Sequence, residues 1–212
     1  MKREEKNALS KQRILEAALH EFSEKGYENA SLNTICSANE LSKGLIYHYF
    51  KDKEELYLLC VELCFQSLTQ YLQEVKQSLR GTIEQQLEHY FDARLHFFVN
   101  QPLLLGIFFD VALNPPAALL SAIQQLRLPF DDMNKEVLNS LLNQATLNIN
   151  VPIATIIDDF RMYMDYFNMR FKETIKQTTS LPQALQAHEE QCHRQLRMLL
   201  FGIMKEEQHE SN

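Results

Sequence analysis

Residues Ser42 to Lys53 read S-K-G-L-I-Y-H-Y-F-K-D-K, and no other stretch constrains the fold of this chain as tightly. Ser42 is a side chain that caps a helix N-terminus. Asp52, with Glu55 three residues on, forms a capping box for the next helix, so the helix between them is short. Its first turn carries Lys43 and Gly44, and its end carries Tyr47, His48, Tyr49 and Phe50. Lys51 and Lys53 flank Asp52. A short helix with small and basic groups first and polar-tipped aromatics last suits a surface that approaches a phosphate backbone closely.

Upstream, Ile14, Ala17, Ala18 and Phe22 fall at i, i+3, i+4 and i+8, one face of a helix. Gly26 stands where a C-terminal cap wants positive φ. Ser31 caps a second, shorter helix bearing Leu32 and Ile35, and Leu41 and Ser42 close a tight turn into the third. These elements make a helix-turn-helix.

The run Ile14-x-x-Ala17-Ala18-x-x-x-Phe22-x-x-x-Gly26-Tyr27, then Ala30-Ser31-Leu32-x-x-Ile35, then Leu41-Ser42-Lys43-Gly44-x-Ile46-Tyr47-x-Tyr49-Phe50-x-x-Lys53-Glu54-x-Leu56, resembles the DNA-binding domain of the tetracycline-repressor (TetR) family of transcriptional regulators. The resemblance covers roughly the first quarter of the chain. Two positions depart from the family's usual pattern. The turn that usually reads Ala-Gly-Val is Asn39, Glu40 and Leu41 here, which leaves Asn39 as the residue more tolerant of positive φ. Leu45 replaces a frequent threonine, which exchanges a hydroxyl contact for an apolar one, such as a thymine methyl.

The resemblance implies an all-α protein: an N-terminal three-helix helix-turn-helix domain, residues 1–51, and a C-terminal helical domain for ligand binding and dimerisation, residues 52–212. It implies a repressor released by a small-molecule effector, a homodimer on a pseudo-palindromic double-stranded operator, and no enzyme activity. The DNA-binding candidates are Ser31, Thr34, Ser42, Lys43, Gly44, Leu45, Tyr47, His48, Tyr49 and Lys53.

The charge distribution sets a condition on that reading. The net charge is −7. Residues 1 to 56 carry nine Lys/Arg against ten Asp/Glu, and the remainder twelve against eighteen. Binding to a polyanion then depends on local placement, with Lys2, Arg3 and Lys6 in the N-terminal arm and Lys43, Lys51 and Lys53 around the third helix. Such a protein binds non-specific DNA weakly and loses affinity steeply with salt.

Composition excludes other classes. Hydrophobic residues make up 45% of the 212, enough to bury a core. The five glycines are too scattered for a P-loop or a dinucleotide fingerprint. No apolar run is long enough to span a bilayer, and the polar N-terminus lacks a signal-peptide core, so a cytoplasmic protein with reduced cysteines is expected.

The apolar period stays helical throughout the body. One helix is expected from Asp52 to about Ser78 with Leu56, Leu59 and Leu63 inward, and another over residues 83 to 99, capped by Thr82 with Gln85. Leu103 to Leu113 follow, then a segment that starts at Pro115-Pro116 and is interrupted by Pro129. Residues 143 to 152 read as a loop. Two long helices end the chain, Ile153 to Gln177 and Leu181 to Lys205, the second capped by Ser180. Both are apolar on more than one side, and a helix apolar on two sides is buried on two sides. In the family, the corresponding helices pack against their symmetry mates. The dimer-interface candidates are Phe160, Phe167, Leu196, Leu199 and Ile203.

The resemblance also implies an effector cavity in the body, with Phe91, Phe109, Asp110, Tyr163 and Phe167 as ligand-binding candidates. Asp110 is the conspicuous charge in the apolar run G-I-F-F-D-V-A-L; it fits a polar anchor for a ligand or a helix-surface residue, the surface being slightly favoured. His89 and His96, two turns apart, are candidates to line a pocket. Cys60 and Cys64 share a helix face and read as small buried hydrophobes rather than a metal or redox site. His188, Cys192 and His193 cluster on one helix and read as surface or interface groups. No cofactor and no metal site is expected. The rival from another class is a helical redox or metal sensor, or a protein–protein adaptor, without DNA binding.

Overall fold

The computed structural model describes residues 3–38, 41–147 and 150–175, together with residues 183, 186–188, 190, 191, 194, 195, 197 and 198. Every regular element among them is helical. In chain order these are α1 (Arg3–Asn29), α2 (Leu32–Ala38), α3 (Lys43–Tyr49), α4 (Lys53–Ser78), α5 (Ile83–Asn100), α6 (Pro102–Leu113), α7 (Leu120–Leu142) after a 3-10 turn at Ala117–Leu119, and α8 (Ile153–Ile175). The expected turn conformation at Asn39 and Glu40, the Ser180 cap, and Cys192, His193, Leu196, Leu199 and Ile203 lie outside the described residues.

Local capping chemistry sets most of the boundaries. Ser42 Oγ accepts from Leu45 N–H at 3.1 Å. Asp52 Oδ1 accepts from Glu55 N–H at 2.9 Å, and Glu55 returns the bond to Lys51 N–H, one residue earlier than the usual box. At the head of α5 the exchange is reciprocal: Gln85 N–H donates to Thr82 Oγ1 and Thr82 N–H to Gln85 Oε1. Ser31 Oγ accepts from Asn33 N–H at the start of α2. The Ser31 N–H itself is taken by Glu21 Oε1 at 3.0 Å, a buried carboxylate that also pairs with Lys25 one turn on.

Gly26 does not end α1 but kinks it. Its φ of +70° breaks the ladder, and the chain then completes one more turn to Asn29. That φ is one an L side chain rarely adopts.

Two compact units are formed, residues 1–70 with 97–130 and residues 71–96 with 131–212. In the first, Ile14, Ala17, Ala18 and Phe22 of α1 are buried with Ile35, Leu41, Ile46 and Phe50. The inward stripe of α4 is Leu56, Tyr57, Cys60, Val61, Cys64, Phe65 and Leu68. Leu59 and Leu63, expected inward, are only partly buried. The two cysteines lie in the buried seam and turn the helix by about one residue relative to a reading that follows the leucines.

A second correction concerns Pro129. It lies inside α7, which continues through it. Proline removes one N–H from the ladder. The apolar side chains on either side of it, Ile123, Phe130, Met133, Val137 and Leu141, are all buried, and their burial outweighs one missing hydrogen bond. No single helix among the described residues is long and apolar enough to cross a membrane.

Candidate nucleic-acid interface

The third helix has two faces. Ile46 points into the core, with Leu41 before the helix and Phe50 after it also buried. On the other face Ser42, Lys43, Gly44, Tyr47 and His48 are exposed. Residues 43, 44, 47 and 48 share one stripe, because positions four apart stack on a helix. Tyr47 is 57% exposed, a degree of exposure that leaves most of a large ring in water on the isolated chain.

Gly44 is the informative residue on this stripe. A Cβ built there would meet no atom closer than Ser42 Oγ at 4.0 Å. Its φ is not in the left-handed region. Among the described residues, neither backbone conformation nor packing asks for glycine, and glycine in a helix costs about 0.5–1 kcal/mol relative to alanine. The missing side chain leaves the α3 backbone open to a close approach from outside.

The remaining candidates are held by their neighbours. Leu45 is half-buried beside the exposed stripe. Tyr49 OH donates to Asn7 Oδ1 at 3.1 Å, which ties α3 to α1, and its ring meets His48 edge-on at 4.8 Å. The Lys53 ammonium sits 4.4 Å from the centre of the Tyr27 ring and 3.5 Å from the Glu28 carbonyl oxygen. Ser31 and Thr34 are half-buried on and before α2.

The body candidates divide between the two units. Phe109 and Asp110, on α6, belong to the first; Phe91, Tyr163 and Phe167 belong to the second. Tyr163 stacks on Phe167 at 6.3 Å, and Phe167 on His188 at 4.8 Å. His188, expected at the surface or in an interface, is buried within its own chain, against Phe167. Phe91 carries the Arg94 guanidinium over its ring at 5.2 Å. His89 and His96 are both on exposed positions of α5 rather than facing a pocket.

Asp110 is placed differently from either sequence expectation. It is half-buried, and its Oδ2 accepts from Tyr57 OH at 2.7 Å and from Tyr27 N–H at 2.9 Å. Loss of water pushes its carboxyl above the ordinary value, against the two hydrogen bonds that pull it down. Burial and then the adjacent Asp110 carboxylate push the Tyr57 phenol far up. The sign for stability follows from linkage. A carboxyl whose folded pKa is raised binds its proton more readily when folded, so its favourable contribution is present at low pH and is lost as pH rises through the raised value. Asp110→Asn, which keeps an acceptor oxygen and removes the charge, is expected to raise Tm at neutral pH. The gain should shrink as pH falls towards the carboxylate range; melting curves across pH check this, and a gain that grows on acidification would contradict it.

Burial pushes the Cys60 and Cys64 thiols well above their usual value, and Cys64 Sγ donates to the Leu104 carbonyl at 3.3 Å. Thiols in that state are poor nucleophiles and poor metal ligands. Among the described residues, no group of three His, Cys, Asp or Glu side chains is arranged to hold a metal.

A model of the N-terminal domain, described as bacterial regulatory proteins, tetR family, matches residues 14–60. The IcaR negative transcriptional regulator of the biofilm operon icaADBC, from Staphylococcus epidermidis, is 36% identical over 62 residues. That segment is 29% of this chain and 34% of IcaR, so the match spans about a third of the relative's length. A solved structure of a tetR family transcription regulator from Shewanella sp. PV-4 superposes with a TM-score of 0.63 at 22% identity, covering 92% of this chain and 98% of that one. The transcriptional regulator FadR from Bacillus subtilis, solved in complex with stearoyl-CoA, gives a TM-score of 0.63 at 15% identity, covering 91% and 98%. At such identities the structures speak for the fold alone.

Proposed function

We propose that this chain, whose residues 14–60 match the tetR family of bacterial regulatory proteins, is a homodimeric DNA-binding transcriptional regulator, a repressor released by a small-molecule effector. The observation that carries the DNA-binding part is the exposed stripe of α3, where Gly44 has no internal reason to be glycine. Lys43, Gly44 and Leu45 approach base edges in the major groove. Tyr47, His48, Tyr49 and Lys53 hold the phosphate backbone, with Ser31, Thr34 and Ser42 at the rim. A helix-turn-helix reading two half-sites needs twofold symmetry, hence two copies and a pseudo-palindromic operator.

Repression is favoured by the likeness of the DNA-binding segment to a negative regulator. The effector is favoured by a local observation: Thr69 Oγ1, on α4, is buried without a hydrogen-bond partner among the described residues. It lies one turn beyond Phe65, whose ring packs with Phe108 and Phe130 at 5.9 and 5.7 Å. An unpartnered buried hydroxyl close to a group of aromatic rings suits an apolar effector with one hydrogen-bonding group. A protein of this fold accommodates stearoyl-CoA.

The test is enrichment of duplexes from a random-sequence pool by the purified protein, followed by titration of the enriched duplex. Lys43→Ala should lose about 1–3 kcal/mol on that duplex where the lysine reads a guanine. Lys53→Ala should weaken all duplexes alike and reduce the salt slope by about one. If the wild type enriches no sequence, the DNA-binding reading fails; if both variants bind as wild type, the residue assignment fails.

A further inference from the structure

Helices α1 and α6 meet at two levels one helical turn apart. At the first, the Ser23 backbone lies against Gly106, so closely that a Cβ at 106 would come within 2.6 Å of Ser23 O. At the second, four residues further along both helices, Tyr27 N–H donates to Asp110 Oδ2. The kink at Gly26 explains the second contact. It takes the Tyr27 N–H out of the helical ladder, and a backbone donor without a partner is costly inside a protein. Asp110 accepts it. A side chain at 26 would be strained by the φ of +70°, and its Cβ would press on Asp110 Oδ1 from 2.5 Å.

Tyr27 in turn carries Lys53 over its ring, at 4.4 Å. The Tyr57 ring lies against Tyr27 at 4.9 Å, and its hydroxyl is bonded to the same Asp110 oxygen. One carboxylate oxygen of α6 thus holds Tyr27 by its backbone and, through Tyr57, by its ring. Lys53 also acts electrostatically on Asp110, with Glu28 opposing it.

We propose that Asp110 is a positioning residue for DNA binding: it fixes Tyr27, whose ring is the seat from which Lys53 meets a phosphate. The proposal rests on the DNA-binding reading above and adds to it a residue of the body, remote in sequence from the recognition helix. A lysine ammonium held over a ring and beside a carbonyl has less rotamer freedom to lose on binding than one loose in water. If the seat tilts, the ammonium no longer meets the backbone at the helix start.

The experiment is a double-mutant cycle, read by fluorescence anisotropy on the duplex that the wild-type protein enriches. Asp110→Ala is expected to weaken binding roughly 3- to 10-fold, and to have less than about a twofold effect when Lys53 is already alanine. Asp110→Asn, which keeps the acceptor for Tyr27 N–H, should bind within about twofold of the wild type. A purely structural role for Asp110 would not depend on Lys53, so equal losses in both backgrounds overturn the proposal, as does an Asn variant as weak as the Ala variant. Should Asp110→Ala fail to fold, Tyr27→Leu removes the ring and leaves the backbone donor. It must then show the same loss, and the same silence in the Lys53→Ala background; additivity overturns the proposal here too. A wild type that enriches no duplex removes the DNA-binding reading and this role with it. A wild type that binds, with an additive cycle, removes this role alone.

Discussion

Gly106→Val should lower Tm by about 10 °C, whereas Gly44→Ala should leave Tm unchanged or higher. Both glycines lie inside helices with no left-handed φ, so on intrinsic propensity alone each substitution favours the helix, alanine by up to about 1 kcal/mol. Their surroundings decide otherwise. A Cβ at 106 would lie 2.6 Å from Ser23 O and 2.8 Å from Ser23 Cα. These are backbone atoms of another helix, which cannot rotate away as a side-chain tip can. The two helices must separate, and overpacking of this kind costs about 1–3 kcal/mol, with the larger value fitting a branched side chain. In a chain of this length each kcal/mol moves Tm by about 2–4 °C. A Cβ at 44 meets only Ser42 Oγ at 4.0 Å, so the folded protein accommodates it, and the loss should appear instead in binding to the enriched duplex. Differential scanning calorimetry and anisotropy on the two variants check both halves. A Gly106→Val protein as stable as the wild type would mean that α1 and α6 do not touch at Ser23. A Gly44→Ala protein with full DNA affinity would remove the main argument for the α3 stripe.

The contrast between the two glycines shows which parts of the molecule were open to reading from the chain. Caps were legible because their chemistry is local: Ser42, Asp52 with Glu55, and Thr82 with Gln85 bond within three or four residues, so a short window holds the whole cause. The buried face of α1 was legible because its period is set by the helix itself. Asp110 was not, because its partner Tyr27 lies 83 residues away. A charge in an apolar run signals that something is unusual, but only the fold shows that the kink at Gly26 leaves a backbone N–H for it to accept. Gly106 likewise answers to Ser23, far along the chain. In α4 the signal lies in the two cysteines, whose reading as small buried hydrophobes agrees with their burial. Cys60 and Cys64 behave as core residues, and counting leucines alone placed the seam about one residue away. Pro129 misled in the opposite direction, since a local rule against helix continuation yields where enough apolar surface on both sides is buried.

Met162→Asp should leave the fold of the single chain intact and abolish the proposed twofold assembly. Met162 is 68% exposed and Tyr166, four residues on, is 56% exposed, so α8 presents an apolar pair that nothing within the described chain covers. Phe167, one of the dimer candidates, has a different position. It is buried against Tyr163 and His188 of its own chain, and Phe160 is half-buried. Substitution at either disturbs the protomer as well as any interface, so neither separates folding from assembly. An aspartate at 162 does separate them. In an isolated protomer it faces water, and surface changes of this kind usually stay within about 0.5 kcal/mol. In an apolar seam between two copies the same carboxylate loses its water without gaining a partner, at a cost of several kcal/mol per copy, and twofold symmetry doubles it. Analytical ultracentrifugation should then show a well-folded monomer with a helical circular dichroism spectrum and an unchanged Tm extrapolated to low concentration. DNA binding should weaken with it, because one helix-turn-helix reads only one half-site. A Met162→Asp protein that sediments as the wild type does would place the interface elsewhere, and the exposed methionine and tyrosine of α8 would need another explanation.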